Sequence, residues 1–349
     1  MRIVDTPTDP ADAATLASLT AALATTPMRV NHGAVASVAR PSTSRPVEWV
    51  GSVQPTNWIA GDTWQEVTAA ASFTGALDGM TVPFRAHSFR RLLTAYTGPL
   101  VRVRRSSDST EQDIGYTSAG DLDTAAMLTF CGSGSEFVTT WYDQSGSARH
   151  VSQATTASQP LIVNAGALNT LGTKTAMTFD GTDDYLFSTV VGLYAAGVAT
   201  LAAILSGASA SNSTVVAESN SANAGAFYRM IRASSANWNV QAANDAGTSL
   251  YASTATASNL FDGAAHQAFY LDTGSAISTW KDATAIHAAI AAVRSGTISN
   301  TRFTLGASIQ TTVANFLNGK MQEVIAWGSD QSASRSSLSL NQKAYWGTP

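Results

Sequence analysis

At 349 residues, with 13% charged side chains and a net charge of −4, the chain is neither the charge-rich polymer of a disordered segment nor the carrier of a concentrated cationic face, so a nucleic-acid partner is not expected. No window approaches the roughly 20 apolar residues of a membrane helix, and residues 1–6 lack the apolar core of a signal peptide, so the expectation is a soluble protein that is not conventionally secreted and does not insert into membranes. A single cysteine, Cys131, excludes an intramolecular disulfide and a zinc site of clustered thiolates.

Taken in chain order, Pro7 and Pro10 lead into residues 11–25, where Leu16, Leu19 and Leu23 recur at helical spacing. So short a helix is marginal alone and is expected to pack against copies of itself or a partner, giving a homo-oligomer such as a trimer. Pro41 and Pro46 bound a stretch that runs into residues 47–64, read as a short linker element rather than a core. Residues 1–80 are thus expected to form an attachment and oligomerisation region. From Thr81 the pattern changes to short alternating runs punctuated by Gly, Asn, Asp and Ser. Strands are predicted at 100–104, 137–142, 177–179, 201–205, 215–218, 227–231, 238–242, 267–271, 277–280, 303–305 and 319–327, with one late helix around 333–345. Many short strands at close spacing make residues 81–349 an all-β domain, a two-sheet β-sandwich.

Three local signatures give the sandwich a type. Phe179-Asp180-Gly181-Thr182-Asp183-Asp184-Tyr185-Leu186 reads as strand, tight turn, strand; residues 266–272 with 277–282 read as paired central strands; residues 303–308 with 316–327 read as closing strands. All three resemble concanavalin-type, laminin-G-like sandwiches. A longer ordered match runs through Ala86-His87-Ser88, Gly98-Pro99-Leu100, residues 121–131, Trp141-Tyr142-Asp143-Gln144-Ser145-Gly146, His150 and Gln153. It resembles the catalytic domain of family 54 α-L-arabinofuranosidases, over roughly residues 84–347 and most closely in the first third. The wording of residues 47–64 is similar to a segment of phage minor tail proteins.

The resemblance implies a retaining hydrolase with two carboxylates about 5 Å apart. Carried over residue by residue, the nucleophile's place falls on Ala257 and that of the acid/base on Gln310, an amide that cannot cycle a proton. The family's stacking Trp falls on Trp238, and the disulfide partner of Cys131 falls on Glu136. The resulting expectation is a phage virion protein of the tail or fibre type, located in the virion. It would bind rather than cleave host cell-wall polysaccharide bearing arabinofuranose, with residues 1–80 joining other virion proteins. A structural decoration protein is one alternative; an active glycosidase using Asp143 with Glu218 or Asp245 is another.

Each candidate residue has its own chemistry. Trp238 could stack on a sugar ring, Gln310 could bind sugar hydroxyls as donor and acceptor, and Tyr142 and Asp143 lie in the best-matched motif. Asp-Gln-Ser-Gly is also a strong turn sequence whose carboxylate accepts backbone N–H groups. Asp180, Asp183 and Asp184 offer oxygens of the kind calcium takes, and a hairpin turn accounts for them equally; no other cofactor is implied. The five histidines, His32, His87, His150, His266 and His287, show no metal-binding spacing.

Overall fold

The computed structural model describes residues 28–33, 47–51, 63–66, 73–207, 213–233, 237–256, 260 and 262–349. The chain forms two compact units, Met1–Ser72 and Phe73–Pro349. In the first, Met28–Gly33, Val47–Gly51 and Thr63–Glu66 make a three-stranded parallel sheet with Val47–Gly51 in the middle. Residues 47–64, read as a linker, therefore contain one of these strands whole and the start of another. The helix expected over residues 11–25 lies outside the described residues.

Residues 73–80, grouped by sequence with the first segment, pack with the second unit: Leu77 is buried and its N–H bonds Leu92 O at 2.9 Å. That unit is an antiparallel β-sandwich. One layer runs through Thr284–Ala291, Ala276–Lys281, His266–Asp272, Ala199–Gly207 and Asn318–Trp327, with Arg85–Ser88 and Met177–Asp180 against the last. The other runs through Ser249–Thr256, Asn237–Ala243, Phe227–Ala233, Ser213–Ser219, Arg302–Leu305 and Leu186–Ser188. Glu136–Trp141 pairs with both Val151–Ser152 and Leu161–Asn164, and is the corner through which the layers join into one closed system. All eleven predicted strands and the late helix, found at Arg335–Trp346, are present.

Every residue of Ala199–Gly207 is buried, because both faces of this central strand are covered. Leu201, Ala203 and Leu205 enter the core between the layers. Ala202 faces a second cluster with Ile325, Trp327, Phe269 and Leu338, the last from the C-terminal helix. A helix not anticipated from sequence, Thr124–Cys131, starts at Asp123, whose carboxylate accepts from Ala126 N at 2.9 Å, and stops at Gly132, with φ +62°.

Candidate functional site

Asp143 lies just past the corner strand and is 2% exposed. Its Oδ1 accepts from Ala86 N (2.8 Å) and Ser145 N (3.0 Å), and its Oδ2 from Ser145 Oγ (2.7 Å) and Arg149 N (2.9 Å). Burial opposes the charge, but His87 and these hydrogen bonds outweigh it and hold the carboxyl below the usual range. Beside it Gln144 accepts from Leu92 N (2.8 Å) and donates to Arg90 O (2.9 Å). Asp-Gln-Ser-Gly is thus a clamp that fixes strand Arg85–Ser88 to the corner, with no carboxylate oxygen left for a ligand. Tyr142 is half-buried, its hydroxyl donating to Asp113 Oδ1 at 2.7 Å. Glu218, 1% exposed, accepts from Gly192 N, Leu193 N and Tyr194 N at 2.7, 3.0 and 3.1 Å, which fixes a loop in the same way.

Trp238 and Gln310 do not share a pocket. Tyr228 reaches inward to Asp272 across the core (3.0 Å), so its neighbour Arg229 points outward. Gln241 pairs opposite Arg229 and shares the outer face, which leaves Trp238 on the inner one. Trp238 is fully buried with its ring edge-on to His287, and offers no face on which a sugar could stack. Gln310 belongs to the outer face: its Oε1 accepts from Arg229 at 2.9 Å, and its Nε2 donates to Ala224 O. Asp245 accepts from Ser299 N and Oγ at 2.8 and 2.6 Å. Ala257 lies outside the described residues.

One acidic constellation was missed from sequence. His266, 4% exposed, sits between two carboxylates: Nε2 is 2.8 Å from Asp262 Oδ1 and Nδ1 is 2.9 Å from Asp282 Oδ2. Burial works against its charge, yet the bonds to Asp282 and Asp262 raise its pKa. Burial likewise opposes ionisation of the exposed Asp262, but His266, Ala264 N–H and Lys281 hold its carboxyl below the usual range. The signal in the sequence is the four-residue spacing of Asp262 and His266, which matches no metal-binding motif.

The ligand oxygens of Asp180, Asp183 and Asp184 lie within 4.8 Å of one another. The turn already uses several of them: Asp180 Oδ1 accepts from Thr182 N at 2.7 Å and Asp184 Oδ2 from Asp180 N at 2.9 Å. Burial and the charges of Asp180 and Asp183 push the Asp184 carboxyl up to about 7.

Glu136 is fully buried, and neither of its carboxylate oxygens has a hydrogen-bond partner among the described residues. Burial pushes its pKa up to about 7 against an ordinary 4.5, opposed by Arg105. The folded chain keeps a proton that the unfolded chain releases, so this group's contribution is fully present below pH 4.5 and is lost as pH rises through 7. Stability is expected to fall by about 3 kcal/mol over that interval. Glu136→Gln, uncharged at every pH, should flatten that slope in urea unfolding at pH 4.5, 6 and 7.5, and an unchanged slope would refute the assignment.

With this geometry in place, residues 77–191 match the family model "Alpha-L-arabinofuranosidase B, catalytic". This part of the chain is similar to an arabinofuranosidase catalytic domain. A probable α-L-arabinofuranosidase B of Aspergillus clavatus is 42% identical over 90 residues, 25% of this chain and 18% of that protein. An α-L-arabinofuranosidase of Hypocrea jecorina is 43% identical over 77 residues, 22% of this chain and 15% of that protein. The matched part therefore spans less than a fifth of these curated relatives. The structure of an arabinofuranosidase complexed with arabinofuranosyl-α-1,2-xylobiose superposes with a TM-score of 0.53 at 20% identity, over 74% of this chain and 62% of that one, and shares the sandwich fold.

These matches correct the reading of a non-catalytic, glycan-gripping phage virion protein. The matched model describes a catalytic domain and the relatives are arabinofuranosidases, so the tail-protein and receptor-binding assignments fall. The inference that catalysis is lost rested on Ala257 and Gln310, which both lie beyond residue 191. There the likeness is one of fold, and a loop alignment can slip by several residues without changing the strands around it.

Proposed function

We propose that the chain is a glycosidase of the arabinofuranosidase B type that releases terminal arabinofuranose from pentose-containing polysaccharide. The observation that carries this reading is the match of residues 77–191 to the catalytic-domain model, set in a sandwich of the same fold. Among the described carboxylates, Asp143 and Glu218 are committed to buried backbone N–H groups, which removes the pairing of these two as catalysts. Asp262 has what a nucleophile or stabilising carboxylate needs: it is exposed, held ionised and oriented by a buried imidazole. It also follows directly on residues 255–261, the segment on which the resemblance places the family's nucleophile.

The test is hydrolysis of 4-nitrophenyl α-L-arabinofuranoside by the full chain, with the anomer of the product followed by NMR. Turnover with retention is expected, and Asp262→Asn should lower kcat by about a hundredfold or more with the fold intact by circular dichroism. No turnover of any pentofuranoside by the folded chain would sink the glycosidase reading. Full activity in Asp262→Asn would remove Asp262 alone.

A further inference from the structure

A cleft of about 390 Å³ opens between three segments distant in sequence: residues 117–124, the hairpin of Thr170–Leu171 with Lys174–Thr175, and the end of the C-terminal helix. We propose that this cleft, whose lining includes none of Asp262, His266 and Asp282, is a second carbohydrate-binding site for a neutral oligosaccharide. That the sugar is a pentose chain rests on the arabinofuranosidase reading; that the cleft takes a neutral polyhydroxylated ligand does not.

Its chemistry is that of a sugar site. Leu168 and Tyr345, both half-buried, give the cleft its apolar surface, laid over the buried Phe89, Leu122 and Trp346. Thr117, Thr124, Thr170, Thr173 and Thr175 line it, and none of their hydroxyls bonds to another described residue. Asp121 Oδ1 is engaged by Lys174 Nζ at 3.1 Å and by the Tyr345 hydroxyl, while its Oδ2 accepts nothing from the described residues. The carboxylate and the ammonium cancel, so the cleft favours dipolar hydroxyls over an ion, and the pair presents both acceptor and donors to vicinal hydroxyls. Its volume falls within the range of roughly 300–1,000 Å³ of small-molecule sites.

The wall is also rigid, which lowers the cost of ordering on binding. Gln322 Nε2, from the central layer, is 3.0 Å from both Leu171 O and Lys174 O, and Lys320 Nζ holds Thr170 O at 2.7 Å. The hairpin that carries three of the threonines is therefore pinned from beneath. None of its residues belongs to the positions carried over from the family, Trp238, Ala257 and Gln310.

The experiment is hydrogen exchange and calorimetry on the full chain with arabinofuranosyl-α-1,2-xylobiose, cellobiose and a glucuronic-acid disaccharide as probes. Protection of residues 117–124 together with 168–175 by a neutral probe is expected, since the hairpin also packs through Leu171 on Ala265, beside His266, and only residues 117–124 report on the cleft itself. Lys174→Ala and Thr173→Trp, both at the rim, should weaken that binding about tenfold while leaving hydrolysis of 4-nitrophenyl α-L-arabinofuranoside unchanged. No protection of residues 117–124, binding unaltered in both variants, or preference for the uronic acid would overturn the proposal. Protection in a chain that hydrolyses nothing would uphold the cleft and refute the glycosidase reading; hydrolysis without protection would do the reverse.

Discussion

Glu323→Ala is expected to lower stability by about 3–5 kcal/mol, because it strands a buried guanidinium. Glu323 is fully buried and accepts from Arg90 Nε (2.8 Å) and Nη2 (3.2 Å), Ser88 Oγ (2.9 Å), Gln342 Nε2 (2.9 Å) and Trp346 Nε1 (3.2 Å). One carboxylate thus ties strand Arg85–Ser88 and the C-terminal helix to strand Asn318–Trp327. Burial would raise its pKa, but the Arg90 charge and these bonds depress it. With a depressed folded value, its contribution is present above the ordinary 4.5 and is lost as pH falls through the folded value. Urea unfolding followed by tryptophan emission reads the loss directly. Arg90→Met combined with Glu323→Leu should recover much of it, since removing both charges leaves neither unpaired. A cost below about 1 kcal/mol for Glu323→Ala would mean that the helix is held by Leu338 and its apolar neighbours instead.

Asp143→Ala should cost at least about 3 kcal/mol, since three backbone N–H groups and the Ser145 hydroxyl lose their acceptor in a buried corner. Asp143→Asn separates charge from shape. Its amide oxygen can keep Ala86 N and Ser145 N, but its NH2 meets the donor Arg149 N head-on, so an intermediate loss is expected. The same unfolding measurement, with near-ultraviolet circular dichroism as the readout of tertiary packing, distinguishes a clamp from a catalyst. A clamp variant loses stability and activity together, whereas a catalytic variant would keep its Tm and lose only turnover; that second outcome would reinstate Asp143 as a site residue.

Much of this architecture was written locally. The strands were legible because short apolar alternation between Gly, Asn and Asp turns fixes where a chain can extend and where it must reverse. The clamp at Asp143 was legible as a turn for the same reason. The helix Thr124–Cys131 carried its own start and stop, Asp123 and Gly132, but its even mixture of Ala, Leu and Phe gives no helical stripe to set it apart from a buried strand. The parallel sheet of the first unit was hidden because parallel partners are joined through long connections and leave no hairpin signal.

The sequence by itself determined the strand inventory, the turn chemistry and the likeness of its first third to a catalytic domain, because each of these depends on neighbours within a few residues. Tertiary structure alone decided which side chains meet. The irregular register between Arg229 and Arg232, in the ladder that also pairs Trp238, accompanies the placement of Trp238 inside and Gln310 outside. The approach of Asp282 to His266 follows from the ladder between His266–Asp272 and Ala276–Lys281, at whose end Asp282 N bonds Gln267 O. The threonine-lined cleft exists only because the closed sandwich brings residues 117–124, 168–175 and 345–346 together. Convergence of this kind is set by long-range pairing, for which no local run of residues carries the energy.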